Sequence, residues 1–512
     1  MKSVARAAAI LAVALSIGGA GNAAMGAAPP AQAAPAASAK LPGQPNVILI
    51  KTDDQVYDDP AKMSQFMPNL VAFMAERGVT YTNSYVASPS CCQSRAVTFV
   101  GRYGHNGGVI SQGLGDVLDT RGSIPAYLNN RGYRTGLFGK YLNLVNNPPE
   151  FDEYVTIAGS CTREVPSEYC LGAPGVPAWY YNFVANYPTG EQVKILGDAA
   201  TGTNYNTTWI AAQADAFLDS ALADPADTPF YLDYNPTAPH THDGRIAYTM
   251  VEPPYRSLAV PGCTRPPVET DRSDKPAFVR AYPMTQDSGW MTICPVAQRT
   301  LKTIDDWFGT VVSRLSAAGE LDNTVIIFTS DNGLNNGEHG LLKKFVAYEP
   351  SVRVPLMIAY PGVFAPGTTT ASYAATAKVS NVDLLPTILD LTGIAVDPAL
   401  PLIDGKSLVT QPQGHRVILS EYWFDRGYAP MKPAPYPTWA SIFDGRFKFI
   451  VTYSDRLGRT PVTQELYDRT TDPGELKNLI PLKFGTTSPR YNVPDWIRRL
   501  NVQRKCVGST CL

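Results

Sequence analysis

The sequence has no dense run of lysine or arginine, no long apolar stretch after its N-terminal segment, no internal repeat, and only five histidines among 512 residues. Each absence excludes something. Phosphate backbones are gripped by clustered cations, whereas here 43 Lys plus Arg are interleaved with 45 Asp plus Glu, so nucleic acid is not expected as a partner. The apolar core AAAILAVALSIGGA is shorter than the roughly 20 residues that span a bilayer, and no later stretch qualifies, so no membrane partner is expected. Solenoids and low-complexity tracts are excluded by the lack of any repeat. What remains is a large globular chain, 44% hydrophobic and long enough for more than one domain.

Lys2 and Arg6, the apolar core and an Ala/Pro-rich tract with small-x-small sites give residues 1–34 the layout of a secretory signal, with the mature chain starting between Ala24 and Lys40. Secretion places the eight cysteines in an oxidising compartment. None lies in the leader, so lipid attachment there is not expected. Three pairs close short loops in sequence: Cys161 with Cys170, Cys263 with Cys294, and Cys506 with Cys511. Cys91 and Cys92 are then left over together, and adjacent residues rarely meet the geometry of a relaxed disulfide.

That pair sits in Ser90–Arg102, SCCQSRAVTFVGR. A thiol near a fixed guanidinium such as Arg95 has the makings of a nucleophile, and disulfide or core material is the bland alternative. Upstream, NVILIKTDDQ reads as a buried parallel strand ending in Asp53 and Asp54. Downstream, NTVIIFTSDNG repeats the design and ends in Asp331 and Asn332. Either Asp motif by itself is as well read as a turn or helix cap. Together, two oxygen-bearing strand ends in one α/β domain can converge on a hard cation such as Ca²⁺ or Mg²⁺.

Between them, GYRTGLFGKYLN delivers Lys140 and PFYLDYNPTAPHTH delivers His240 and His242. After Asp331, Glu338, His339, Lys343 and Lys344 either line the same cleft or decorate a loop. Helical spacing covers Pro68–Arg77, Ser123–Arg131, Tyr205–Ala223, Pro295–Ala318 and the run VSNVDLLPTILDLTGI capped by Ser380 or Asn381. Strand alternating with helix predicts an α/β fold, a large mixed and mostly parallel sheet sandwiched by helices. From His415 the pattern changes to a smaller α+β subdomain, which gives a catalytic domain over 40–414 and a C-terminal subdomain over 415–512. Two long segments, Phe151–Asn204 and Arg245–Cys294, read as loop-rich inserts whose Trp and Tyr residues stack on sugar rings or pack internally.

Collectively VILIKTDDQ, SPSCCQSRAVTFVGRYGHN, GLFGKYLN, APHTH, FTSDNG, Lys344 with YEPSVRVP, and ELYDRTTDPGELKNL resemble the sulfatase family of the alkaline phosphatase superfamily, in the family's order. The double Cys, YGHN and GKYLN are most similar to the branch of glucosamine-6-sulfatases and bacterial glycan or aryl sulfatases. The resemblance implies an alkaline-phosphatase-like fold and release of inorganic sulfate from a sulfated carbohydrate or aryl sulfate. It implies that a formylglycine-generating enzyme oxidises Cys91 to formylglycine, whose hydrate attacks sulfur, releases the alcohol and then expels sulfate as it collapses to the aldehyde. It implies Ca²⁺, or Mg²⁺, held by Asp53, Asp54, Asp331, Asn332 and the modified Cys91. Arg95 would fix the nucleophile, Lys140, His240 and Lys344 would hold sulfate oxygens, and His240 or Lys344 would protonate the departing alcohol.

Two departures stand out: Gln93 occupies the place of the family's Pro two residues after the modified Cys, and Leu142 the place where many members carry His. His105 is either a cleft residue or a structural one. Two other readings stay open, a phosphonate or phosphate ester hydrolase with unmodified Cys91, which Asn332 in place of His disfavours, and a catalytically silent protein that binds sulfated glycans.

Overall fold

Strand β1 (Asn46–Thr52) is buried along its whole length, because helices cover both faces of the sheet in which it is central. The computed structural model describes residues 44–143, 145, 147–157, 180–240, 250–260, 263, 269–282, 286–425 and 436–512. The expected signal segment, the Cys161 with Cys170 pair and His242 lie outside the described residues.

The other strands of the main sheet are β2 (Gly78–Tyr81), β3 (Arg134–Gly139), β4 (Glu153–Ile157), β5 (Asn182–Asn186), β6 (Gln192–Leu196), β7 (Phe230–Asn235), β8 (Thr324–Ser330) and β9 (Leu356–Ala359). Among the described residues they align in the order β2-β9-β8-β1-β7-β3-β4-β5-β6. The central five, β8, β1, β7, β3 and β4, run parallel. Antiparallel strands close both edges. Alternation along β1 divides the core in two. Ile48 and Ile50 face helices α1 (Pro68–Arg77), α3 (Asn206–Leu222) and α4 (Gln286–Ala318), while Val47 and Leu49 face α2 (Cys91–Val100) and α5 (Leu384–Leu391).

The predicted mixed α/β sheet is therefore present, and α1 has the predicted bounds. Two expectations change. The insert 151–204 is not all loop, since it supplies β4, β5 and β6, which widen the sheet. Its Tyr180 and Tyr181 are buried in the core. Helix α4 begins upstream of Pro295 and carries that proline within it.

The last hundred residues form a second sheet, with β10 (Ile418–Tyr422), β11 (Thr438–Phe443), β12 (Phe447–Tyr453) and β13 (Pro461–Asp468) antiparallel in chain order. Helix α6 (Val493–Gln503) packs Trp496 and Leu500 onto it. The expected Cys263–Cys294 and Cys506–Cys511 disulfides are formed, and Cys91 and Cys92 are buried free thiols. Among the described residues no helix is long and apolar enough to cross a membrane.

Glu465 of β13 ties the second sheet to the segment ahead of β9, accepting hydrogen bonds from Tyr348 at 2.8 Å and, within its own strand, from Tyr467 at 2.6 Å. Burial pushes its carboxyl up to about 7, against the pull of the two phenols and of Lys275. A carboxyl that holds its proton more tightly when folded lends stability in full below its ordinary value, and that stability is lost as pH rises through about 7. We expect the stability difference between wild type and Glu465→Gln, from urea titrations, to shift by about 3 kcal/mol in favour of the variant between acid and mildly alkaline pH. A pH-independent difference would contradict this.

Candidate active site

The parallel strands deliver polar side chains at their C-terminal ends, where an open α/β sheet leaves a crevice. Asp53 and Asp54 follow β1, Asp331 and Asn332 follow β8, and Asn235 ends β7. Lys140 follows β3 directly, and Gly139 makes that placement possible. Its φ is +113°, and a Cβ there would lie 1.9 Å from the Asn235 carbonyl oxygen, so only glycine lets β3 approach β7 so closely. Lys140 N–H in turn donates to that carbonyl at 2.8 Å. Asp54 also sits in the left-handed region at φ 70°, a conformation that aspartate tolerates better than most residues.

Helix α2 starts in front of these strand ends. Ser90 is extended and precedes it without a side-chain capping bond, Cys91 is its first residue, and every residue to Val100 is buried. It stops at Gly101, which takes the left-handed conformation at φ 61°. Arg95, one turn in, is fully buried and reaches four strand ends. Its Nε donates to Asp331 at 2.8 Å and its guanidinium also donates to the Lys140 carbonyl at 2.8 Å and to Asn235 at 3.1 Å, with Asp53 at 3.9 Å. Burial favours the neutral form, but Asp331 and Asp53 outweigh it and hold the guanidinium above its ordinary value.

Cys91 Sγ lies 3.7 Å from Asp53 and accepts from Lys344 Nζ at 2.7 Å. Lys140 pairs with Asp53 at 2.5 Å, Lys344 with Asp54, and His240 Nε2 lies 3.5 Å from Asp54. The potential ligand atoms of Asp53, Asp54, Cys91 and His240 fall within 4.8 Å of one another. Burial raises both Asp carboxyls, yet Lys140 for Asp53 and Lys344 for Asp54 pull them down, Asp53 to about 2. Burial also pushes the Cys91 thiol up to about 11 despite both lysines, so as a thiol it is protonated at neutral pH. His240 is lowered by the same burial, against Asp54 and Asp53. Tyr180 fixes its position by donating to the His240 carbonyl at 2.9 Å.

Lys344 arrives from a loop whose neighbours Lys343 and Phe345 both have positive φ, at 85° and 78°. Such residues cost about 1–2 kcal/mol each and need outside support. It comes from two sides. Trp439 of β11 donates to the Phe345 carbonyl at 2.8 Å and Tyr436, just ahead of that strand, to the Leu342 carbonyl at 2.9 Å, while Asn335, beyond β8, donates to the Lys343 carbonyl at 2.8 Å. His339 lies behind the same loop, bound to Glu269 at 2.7 Å and with its ring tilted against Tyr348. Lys343 itself is exposed.

All the residues singled out from the sequence for catalysis or metal binding thus converge. His105 does not join them, being clamped between Glu421 at 2.6 Å and the Cys506 carbonyl at 3.1 Å. Leu142 packs in the apolar core behind α2. Asn235 and Tyr180 went unnoticed in sequence, although Asn235 carries the same sign as Asp53, a polar residue closing an apolar strand.

The family model described as Sulfatase matches residues 45–394, the span that builds this cluster. The chain belongs to the sulfatase family. A second model, N-sulphoglucosamine sulphohydrolase, C-terminal, matches residues 337–486 of this sulfatase, which include the Lys344 loop and the second sheet. The arylsulfatase of Volvox carteri is 29% identical over 85% of this chain and 71% of its own. The N-acetylglucosamine-6-sulfatase of Capra hircus is 27% identical over 93% and 86%. A solved structure bound to its substrate D-glucosamine-2-N,6-O-disulfate superposes with a TM-score of 0.67 over 90% of this chain and 98% of that one, at 22% identity.

Removing the Arg95 guanidinium strands a buried carboxylate at Asp331. We expect Arg95→Met to lose about 3–5 kcal/mol in urea unfolding; a loss within the usual surface range of about 0.5 kcal/mol would show that Asp331 does not depend on it.

Proposed function

We propose that this sulfatase acts after export on sulfate esters of a sugar or aryl alcohol, with Cys91 matured to formylglycine by a generating enzyme and Ca²⁺, or Mg²⁺, as its metal. The observation that carries the reading is the setting of Cys91. Its side chain meets Lys344 and Asp53 at the start of a helix, within the electrostatic reach of Lys140, yet burial leaves the thiol protonated, so the position is built for a reactive group that a thiol does not supply. The two disulfides support an oxidising destination. The names of the arylsulfatase and N-acetylglucosamine-6-sulfatase relatives support the substrate class.

The donor set fits a hard cation. Asn332 Oδ1 is buried and has no partner among the described residues, while its amide nitrogen donates to Asp54 at 2.5 Å. With Asp53, Asp54 and Asp331 it offers the oxygen-rich shell that Ca²⁺ or Mg²⁺ takes, and the modified side chain of residue 91 would add to it. A divalent cation there supplies Lewis acidity toward a sulfate oxygen and favours the ionised hydroxyl of the matured residue.

The chain's own residues do the rest. The three carboxylates of Asp53, Asp54 and Asp331 are matched by Arg95, Lys140 and Lys344, so the protein part is formally neutral and a divalent cation makes it attractive to an anionic ester. Lys140 and Lys344, both raised by their carboxylate partners over the opposing effect of burial, stay charged and hold sulfate oxygens through the transfer. Arg95 keeps the carboxylates and the start of α2 in register. His240 is neutral in the resting cluster, and an anionic ester beside it raises its affinity for a proton. That makes it the group poised to hand a proton to the departing oxygen.

Mass spectrometry of the tryptic peptide ending at Arg95 should find an aldehyde at residue 91; a wholly unmodified thiol in protein from the native host would sink this mechanism. Cys91→Ala should abolish turnover of an aryl sulfate and Cys92→Ala largely spare it, and equal loss in both would contradict the assignment. The amide of residue 93 lies in the first turn of α2, where an N–H has no helical acceptor, so proline fits there. We therefore expect Gln93→Pro to fold normally and raise the aldehyde fraction in the same peptide. Chelation should remove activity and Ca²⁺ or Mg²⁺ restore it.

A further inference from the structure

The formal charge of the chain is −2, but it is unevenly spread. The subdomain over 415–512 holds fifteen of the 43 Lys and Arg and only nine of the 45 Asp and Glu, which leaves the rest of the chain acidic. The fold sharpens this contrast at the surface. Among the described residues of the subdomain nine cations are exposed, whereas every Asp and Glu is buried or half-buried.

Helix α6 gathers several of these cations into one stripe. It packs Trp496 against Phe449, on the face of the second sheet opposite the one from which Trp439 supports the Lys344 loop. Near its start Arg499 lies 4.4 Å over the Trp496 ring, Arg446 4.7 Å over Phe447 and Arg490 5.6 Å over Tyr491. Phe447 is in ring contact with both Tyr491 and Trp496, so the three guanidinium groups rest on one aromatic cluster. Just past its end, Arg504 lies 4.5 Å over Tyr453 and donates to the Gly458 carbonyl at 3.0 Å. That contact sets Lys505 beside the turn between β12 and β13, which carries Arg456 and Arg459. The 11 residues of the helix separate the two ends by about 16 Å.

The stripe is not neutralised from within. Arg446, Arg498 and Arg499 pair with Asp468, Asp495 and Asp444, and in each pair the carboxylate is the less exposed partner. Arg456, Arg459, Arg490 and Lys505 have no carboxylate partner among the described residues. No run of Lys or Arg marks this face in the sequence, because the fold assembles it from separate segments. Guanidinium groups laid on rings are ordered before a ligand arrives, and their forked donors match the oxygens of sulfate and carboxylate groups. Single-stranded nucleic acid needs free ring faces for its bases, and here arginines cover them.

We propose that the α6 face binds a sulfated polysaccharide chain at a site separate from the catalytic cluster. The inference rests on the reading of the substrate as a sugar sulfate ester. A polymer held there keeps its other esters at high local concentration around the enzyme.

The probe is immobilised heparin, a sulfated polysaccharide, and the protein is the whole chain carrying Cys91→Ala, so that no ester is consumed. It should be retained at physiological salt and released as salt rises. Arg456→Ser, Arg490→Ser and Lys505→Ser together should weaken binding about tenfold. Arg121→Ser, Arg131→Ser and Lys194→Ser remove the same charge from the first domain and should leave binding unchanged. Equal weakening in the two sets would mean attraction by net charge alone and would overturn the proposal. So would unaltered binding in the first set, or tighter binding to duplex DNA than to heparin. With Cys91 restored, the first set should keep the wild-type kcat/KM on a small aryl sulfate; a fall would place these residues in the catalytic site and contradict a separate one. If the triple variant does not fold, Arg490→Ser and Lys505→Ser are read singly. If no sugar sulfate is hydrolysed, the substrate reading fails by itself, and the heparin comparison still decides the surface.

Discussion

A single buried guanidinium holds this site in register. Arg95 bonds to groups at the ends of β8, β7 and β3 and stands within 3.9 Å of the carboxylate that follows β1, so one planar cation spans four adjacent parallel strands. A lysine, a point charge on a flexible stem, does not satisfy that many acceptors in one plane. Because the same side chain belongs to the helix that begins with Cys91, Cys91 is fixed relative to the strand ends by packing and by charge together. Removing Arg95 would therefore disturb the carboxylates and the position of Cys91 at once.

Around that anchor the site solves an electrostatic problem. Three carboxylates packed at the head of a sheet repel one another, and burial raises the cost of keeping them ionised. Lys140 and Lys344 offset this from within the cluster, each buried against the carboxylate it pairs with. The two lysines come from opposite sources. Lys140 is set by the backbone of the sheet through the Gly139 approach, and Lys344 by a strained loop held from the second sheet.

Much of this was legible in the chain. NVILIKT and TVIIFTS are fully buried strands, and a buried strand that ends abruptly in Asp-Asp or Asp-Asn announces a site at its end. Helix α1 kept its predicted bounds because Pro68 starts it and the Gly78 that follows breaks its pattern. The strands of the 151–204 insert were hidden for a physical reason. The last of them, QVKIL, lies at the sheet edge and is half exposed, so it lacks the continuous apolar run that marks the central strands. The roles of His105 and His339 depend on partners far away in sequence, Glu421 and Glu269, which no local pattern reveals.

The support of Lys344 by Trp439 and Tyr436 has a consequence for the ensemble. The loop's left-handed residues are disfavoured by themselves, so docking of the second sheet favours the arrangement that brings Lys344 to Cys91. Turnover is then weighted by the fraction of molecules in the docked state, and a weakness in β11, which touches no sulfate, is felt as fewer working copies of the enzyme. The second sheet acts as a thermodynamic partner of the chemistry, coupled to it through one loop.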